Sequence, residues 1–136
     1  MAKLLALDIG GKRTGMAESD PMQMMAFTLD TVQTTDLIGV LQSMALMKTY
    51  ELLVVGLPRR LHGELGEAAS IVEQVVEKIQ KAFPNMPVHY VDERFTSSLA
   101  ADALVRGGMK KSKRQEKGAV DKVAAALILE NFLAQR

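Results

Sequence analysis

Hydrophobic and polar positions fall into short blocks whose period changes along the chain. Leu4-Leu5-Ala6-Leu7 is a continuous apolar run closed by Asp8-Ile9-Gly10-Gly11, the pattern of a buried strand entering a turn. Residues 14–18 and 26–31 predict two further strands, with Asp20-Pro21 as the turn signal, so the chain opens as an antiparallel meander of three strands. From Thr35 to Tyr50 the apolar residues Leu37, Ile38, Leu41, Met44, Ala45 and Met47 recur at helical spacing, and Thr34, Thr35 or Asp36 stands where a cap belongs. Leu52-Leu53-Val54-Val55 is a short all-apolar strand, expected to be covered on both faces, and it stops at Gly56-Leu57-Pro58. A second helix is predicted from about Glu67 to Phe83, with Ala68, Ile71, Val72, Val75, Val76 and Ile79 on one side and Pro84 as its stop. Residues 88–91 form another strand, ending at Asp92-Glu93-Arg94. Thr96 or Ser97 caps a helix to Arg106 that Gly107-Gly108 ends. The last helix spans roughly residues 119–134. The order βββ-α-β-α-β-α-α predicts an α/β fold, a mixed sheet with helices on both faces.

Composition sharpens this in three ways. A length of 136 residues favours one domain, residues 1–136. Apolar residues make up 48% but aromatics only 4%, so the core is expected to be aliphatic, with the nine methionines as filler. The absence of cysteine excludes disulfides, thiolate metal sites and cysteine nucleophiles. The first apolar run reaches Asp8 too early for a signal peptide, and no run approaches the roughly 20 apolar residues of a membrane span. The expectation is a soluble, cytoplasmic protein with no membrane partner. Net charge is only +1, yet Arg106, Lys110, Lys111, Lys113, Arg114, Lys117 and Lys122 crowd one segment where only Glu116 and Asp121 oppose them.

Carboxylates sit where apolar elements make them costly. Asp8 ends the first strand, Asp92 and Glu93 end the last, and Asp121 falls in the first turn of the final helix, on the side of Ala124, Ala125, Ile128 and Phe132. Each has a plain structural reading: a turn bond for Asp8, a surface ion pair for Asp92-Glu93-Arg94, a helix-start charge for Asp121. Together they suggest more, because ligands of α/β sheets sit outside the carboxyl ends of strands. If the strands of Asp8 and Asp92 are neighbours, the carboxylates converge, and only cations relieve their repulsion. All-oxygen donors suit Mg²⁺ or Mn²⁺, and such a cluster can hold two ions roughly 3.5–4 Å apart, one activating water and one stabilising the leaving 3′-oxygen of a phosphodiester.

The same residues carry a family resemblance. Asp8-Ile9-Gly10-Gly11-Lys12-Arg13-Thr14-Gly15-Met16-Ala17-Glu18-Ser19-Asp20 resembles the opening motif D-x-G-x-K-R-x-G-x-A-x-S-D of the YqgF/RuvX family. Val55-Gly56-Leu57-Pro58 is similar to its V-G-L-P segment, Asp92-Glu93-Arg94-Phe95-Thr96-Ser97 to D-E-R-x-T-S, and Asp121-Lys122-Val123-Ala124-Ala125 to the closing D-x-x-A-A helix. Members are described as Holliday-junction-resolvase-like proteins and as pre-16S ribosomal RNA processing nucleases. The resemblance covers nearly the whole chain. It implies a ribonuclease H-like fold and a metal-dependent nuclease acting on structured RNA or branched DNA. The implied acidic site is Asp8, Asp92, Glu93 and Asp121, with Asp8, Glu93 and Asp121 as metal ligands. One loop departs: after Gly56-Leu57-Pro58 the family carries a polar Asn-x-Asp-Gly-like loop, whereas here Arg59-Arg60-Leu61-His62-Gly63 follows.

Several cations are candidates for phosphate. Lys12 and Arg13 follow a glycine turn, Arg59 and Arg60 occupy the departing loop, and Arg94 either binds phosphate or pairs with Asp92. Lys110, Lys111, Lys113, Arg114 and Lys117 form either a solvated run or a phosphate-tracking arm. Two competing functions stand beside the nuclease. An actin-like or sugar-kinase-like ATPase also opens with a strand, an aspartate and a glycine turn, but needs two related domains. A non-catalytic nucleic-acid-binding module would not need the acidic set. Symmetric resolution of a four-way junction would require a homodimer; trimming a single strand would not.

Overall fold

The computed structural model describes residues 2–58, 66–92 and 117–135, with residues 117–122 described by their backbone alone. Six strands form one sheet: β1 (Lys3–Ile9), β2 (Arg13–Ser19), β3 (Ala26–Thr28), β4 (Val32–Gln33), β5 (Tyr50–Leu57) and β6 (Val88–Asp92). Their spatial order is β3-β2-β1-β5-β6, with β4 also pairing β2. β1 pairs antiparallel with β2 and parallel with β5, and β5 pairs parallel with β6, so the sheet is mixed and β1 is its middle strand.

The pleat of β1 explains both cores. Alternate side chains of a strand face opposite sides, and the four successive residues from Leu4 to Leu7 are all apolar. Leu5, Leu7 and Ile9 join Leu53, Val55 and Leu57 of β5 in a first core, covered by α1 (Leu37–Ser43), α2 (Leu46–Thr49) and α3 (Glu67–Ala82). Leu4 and Ala6 join Val54 and Val91 in a second, covered by α4 (Lys117–Ala134) through Ala125, Ile128 and Leu129. Each fully buried Leu or Ile contributes roughly 1.5–3 kcal/mol. The expected cover on both faces of β5 is present. Among the described residues no helix is long and apolar enough to cross a membrane.

Four expectations need correction. The strand expected over residues 26–31 covers only Ala26–Thr28 as β3, and a separate β4 follows at Val32–Gln33; both pair with β2, but the register slips by one residue between Ala17↔Thr28 and Thr14↔Val32. The helix expected over residues 35–50 is a 3-10 turn at Thr34–Asp36 followed by α1 and α2, broken where Ala45 takes a left-handed φ of 51°. None of the three candidate caps acts there: the residue before α1, Asp36, makes no side-chain capping bond, and Tyr50 belongs to β5. On α3 the buried stripe is Ala69, Val72, Val76 and Ile79, while Ala68 and Ile71 are exposed. Finally, the methionines divide: Met16 and Met86 are core, whereas Met22, Met24, Met25 and Met47 stand in solvent. The helix expected between residues 96 and 106 lies outside the described residues.

Candidate active site

β1 delivers Asp8 to the carboxyl end of the middle strand. By alternation its side chain belongs with Leu4 and Ala6, on the α4 face, where it is half-buried. Its neighbours across the ladder are glycines. Asp8 pairs with Gly15 of β2, and the parallel register that sets Leu7 against Val55 brings Gly56 of β5 level with Asp8 on the other side. The carboxylate therefore stands in a notch with no flanking side chain on either strand.

The direction of α4 follows from its last turn. Glu130, Leu133 and Ala134 line a groove of about 420 Å³ with Met24, Met25 and Ala26, at the tip of the hairpin leaving β2. That tip lies at the amino end of β1, since Ser19 Oγ accepts the Leu4 amide (2.8 Å). α4 thus runs against β1, and its first turns lie towards the edge that carries Asp8. From Ala125 back to Asp121 is about 6 Å along the helix axis, and from Ala6 forward to Asp8 about 7 Å along the strand. Both steps lead from the second core, which holds Ala6 and Ala125, towards the same edge.

The other carboxylate at that edge is placed differently. β5 separates β1 from β6, so the strands of Asp8 and Asp92 are not neighbours. Val88 packs on the first core, while Val91 lies in the second and His89 sets its ring edge against Phe132 of α4 at 4.9 Å. Alternation puts Asp92 with Val88 and Tyr90, on the face opposite Asp8, where it is exposed. Tyr90 on that side has its phenol pushed up by burial and by the negative charge of Glu73 on α3. Glu93, Arg94, Arg59, Arg60, Lys110, Lys111, Lys113 and Arg114 lie outside the described residues, and Lys117 and Asp121 are placed by backbone only. Among the described residues no three acidic or histidine side chains gather as a metal-binding group.

The turn after Asp8 is tightly held. Gly10 donates its amide to the Arg13 carbonyl (2.8 Å), and Thr34 donates its amide to the Lys12 carbonyl (2.9 Å). The Thr34 hydroxyl donates to the Gly10 carbonyl (2.6 Å), which leaves the buried Thr14 hydroxyl to donate to Thr34 Oγ1 (2.9 Å). Lys12 is exposed, and together with Gly11, Arg13, Gln33 and Thr35 it lines an open groove of about 410 Å³. Thr14 and Thr34 were not legible as site-shaping residues. They are twenty residues apart, and only the pairing of β2 with β4 brings them together.

A mixed sheet in this strand order, with a carboxylate at the carboxyl end of the middle strand and a helix across that face, defines a ribonuclease H-like protein. Solved structures agree on the fold. The chain resembles T. thermophilus RuvC in complex with Holliday junction substrate, with a TM-score of 0.54 at 19% identity, covering 99% of this chain and 96% of that one. It also resembles the fowlpox virus resolvase solved with Holliday junction DNA, with a TM-score of 0.60 at 11% identity, covering 98% and 97%. The family match is closer: RuvX, described as Holliday junction resolvase, matches residues 2–135, and the chain belongs to that family. A Bacteroides fragilis relative named "Putative pre-16S rRNA nuclease" is 41% identical over 133 residues, 98% of this chain and 96% of its own. One from Bacteroides thetaiotaomicron with the same name is 39% identical over 136 residues, 100% and 99%.

Proposed function

We propose that this chain is a divalent-metal-dependent nuclease that cuts phosphodiester bonds in structured RNA, with the 5′ end of pre-16S ribosomal RNA as its substrate. One observation carries the site: Asp8 occupies a glycine-flanked notch on the face that α4 covers, at the edge towards which the first turns of α4 run. The names of the relatives carry the substrate.

The proposed ligands are Asp8, Glu93 and Asp121. Asp92 belongs to the opposite face, and the family resemblance favours Glu93 of the pair, which is why the assignment takes Glu93. Carboxylate oxygens are the donors that Mg²⁺ and Mn²⁺ prefer, and the chain offers no thiol to compete. When bound, a pair of such ions supplies Lewis-acid activation of the attacking water and relief of the charge on the leaving oxygen. The protein does the positioning. Gly15 and Gly56 leave room for a phosphodiester beside Asp8, while Lys12 and Arg13 hold the neighbouring phosphates. Arg59, Arg60, Arg94 and the cations from Lys110 to Lys117 extend the cationic surface in this assignment.

The test is cleavage with Mg²⁺ or Mn²⁺ of an RNA bearing the pre-16S 5′ leader, beside a four-way DNA junction. The RNA should be cut, and Asp8→Asn should lower the rate by at least about a hundredfold with an unchanged thermal unfolding midpoint. Retention of divalent-dependent cutting by Asp8→Asn would remove the proposed site. Cutting of the junction alone, by a dimer, would move the substrate to branched DNA.

A further inference from the structure

Another groove adjoins the one at Lys12 and Arg13, on the α1–α3 face of the sheet. It measures about 240 Å³ and shares Gly11 and Thr35 with the groove at Lys12 and Arg13. From there it runs between the start of α1 and α3, past Thr34, Ile71 and Gln74 to Lys78. Its α3 wall is one helical face, since Ile71, Gln74, Val75 and Lys78 are spaced at i, i+3, i+4 and i+7.

The charge along this path is one-sided. Among the described residues lining the two grooves are Lys12, Arg13 and Lys78 and no carboxylate, in a chain with 17 cationic and 16 acidic residues. Two of the three acids of α3 are engaged elsewhere: Glu77 pairs with Lys81 at 3.6 Å, and the charge of Glu73 bears on Tyr90. Lys78 has glutamine at the i−4 position where a glutamate would pair with it, and among the described residues neither it nor Lys12 has an ionic partner. Amide and hydroxyl groups of Gln33, Thr35 and Gln74 are spread between the cations, all exposed. Ile71, 39% exposed, is an apolar surface at mid-groove, and a Cβ added at Gly11 would lie 3.8 Å from its Cδ1.

We infer that the α1–α3 groove is a binding track for a single-stranded sugar–phosphate backbone, which crosses the β1–β2 turn from the cleavage edge and is held at its far end by Lys78. Spaced cations match successive phosphates, the neutral polar groups match ribose oxygens, and Ile71 offers a face for a base or sugar. The glycine turn lets the strand pass close to the backbone. This rests on the proposed nuclease reading and gives that activity a place to hold the strand leading away from the cut.

The test is fluorescence anisotropy of a labelled single-stranded RNA, and of DNA of the same sequence, binding the full chain in EDTA so that no cleavage occurs. Lys78→Glu should weaken RNA binding about five- to tenfold and reduce the slope of log K against log salt by about 0.7. Lys48→Glu is the same charge change on exposed α2, at the opposite end of the sheet, and should stay within about twofold. Equal losses for RNA and DNA would support backbone recognition alone; a loss confined to RNA would support ribose contact as well. Affinity and salt slope unchanged in Lys78→Glu, or no binding by the unmodified chain, would overturn the track. Because divalent ions are absent, the outcome is independent of Asp8. A chain that cuts RNA but binds it unaltered as Lys78→Glu loses only the track. A chain that binds through Lys78 and cuts nothing loses only the nuclease reading.

Discussion

Gly10 has no room for a side chain. A Cβ there would lie 2.8 Å from the Arg13 carbonyl oxygen, the atom that accepts the Gly10 amide. Gly10→Ala should therefore lower stability by about 1–3 kcal/mol in urea denaturation, because the obstacle is backbone that cannot turn aside. The turn would open next to Asp8, so any residual cleavage should fall with it. At this scale the sequence spoke clearly about types and poorly about directions. Asp8 at the close of an apolar run could be singled out, because a carboxylate following buried positions demands a reason. That Asp92 faces the opposite way was beyond reach, since its direction depends on which side of the sheet Val91 enters, and this is decided by packing against α4.

Among the elements, the break between α1 and α2 is the most informative. Periodic apolar residues from Leu37 to Met47 favour one helix, and the structure interrupts it at exposed Ala45, held at a left-handed φ of 51°. Left-handed backbone costs a non-glycine residue roughly 1–2 kcal/mol, against 0.5–1 for the added freedom of glycine in the unfolded chain. Ala45→Gly should thus raise stability by about 0.5–1 kcal/mol, and a decrease would show that the neighbours, not the local backbone, set this bend. Leu41 and Leu46 are both fully buried on either side of the break, which is the physical reason the pattern misled. The turn lets both reach the core where a straight helix would keep only one aligned. Strands β1, β5 and β6 were readable because each is dense with apolar residues; β4 was not, since two residues carry no period.

Across the whole molecule, the sheet is tied at its amino end by one polar cluster. Glu18 of β2 accepts the Tyr50 hydroxyl from β5 (2.6 Å) and pairs with Lys3 of β1 (2.9 Å). Burial alone would push the Glu18 carboxyl up, but the bonds from Tyr50 and Lys3, with the charge of Lys3, more than offset this and hold it below its ordinary value. Its stabilisation is present above the ordinary carboxyl pKa and is lost as pH falls through the lowered one. Tyr50 has its phenol pushed up by burial and by Glu18, so its contribution is complete below about pH 10 and is lost as pH rises beyond. Tyr50→Phe should cost about 1–2 kcal/mol near neutrality and flatten the alkaline decline; an unchanged pH–stability profile from urea titrations would show the cluster to be idle. Topology leaves its own signature on synthesis. Among the described residues the first core draws on nothing beyond β6, whereas the second joins Leu4 and Ala6 to Ala125, Ile128 and Leu129. A ribosome that has released the chain only through residue 92 has made one side of the sheet and left the other bare and sticky. On the proposed assignment the newborn enzyme is harmless to the RNA around it, and it is armed only when its final helix leaves the exit tunnel and folds home.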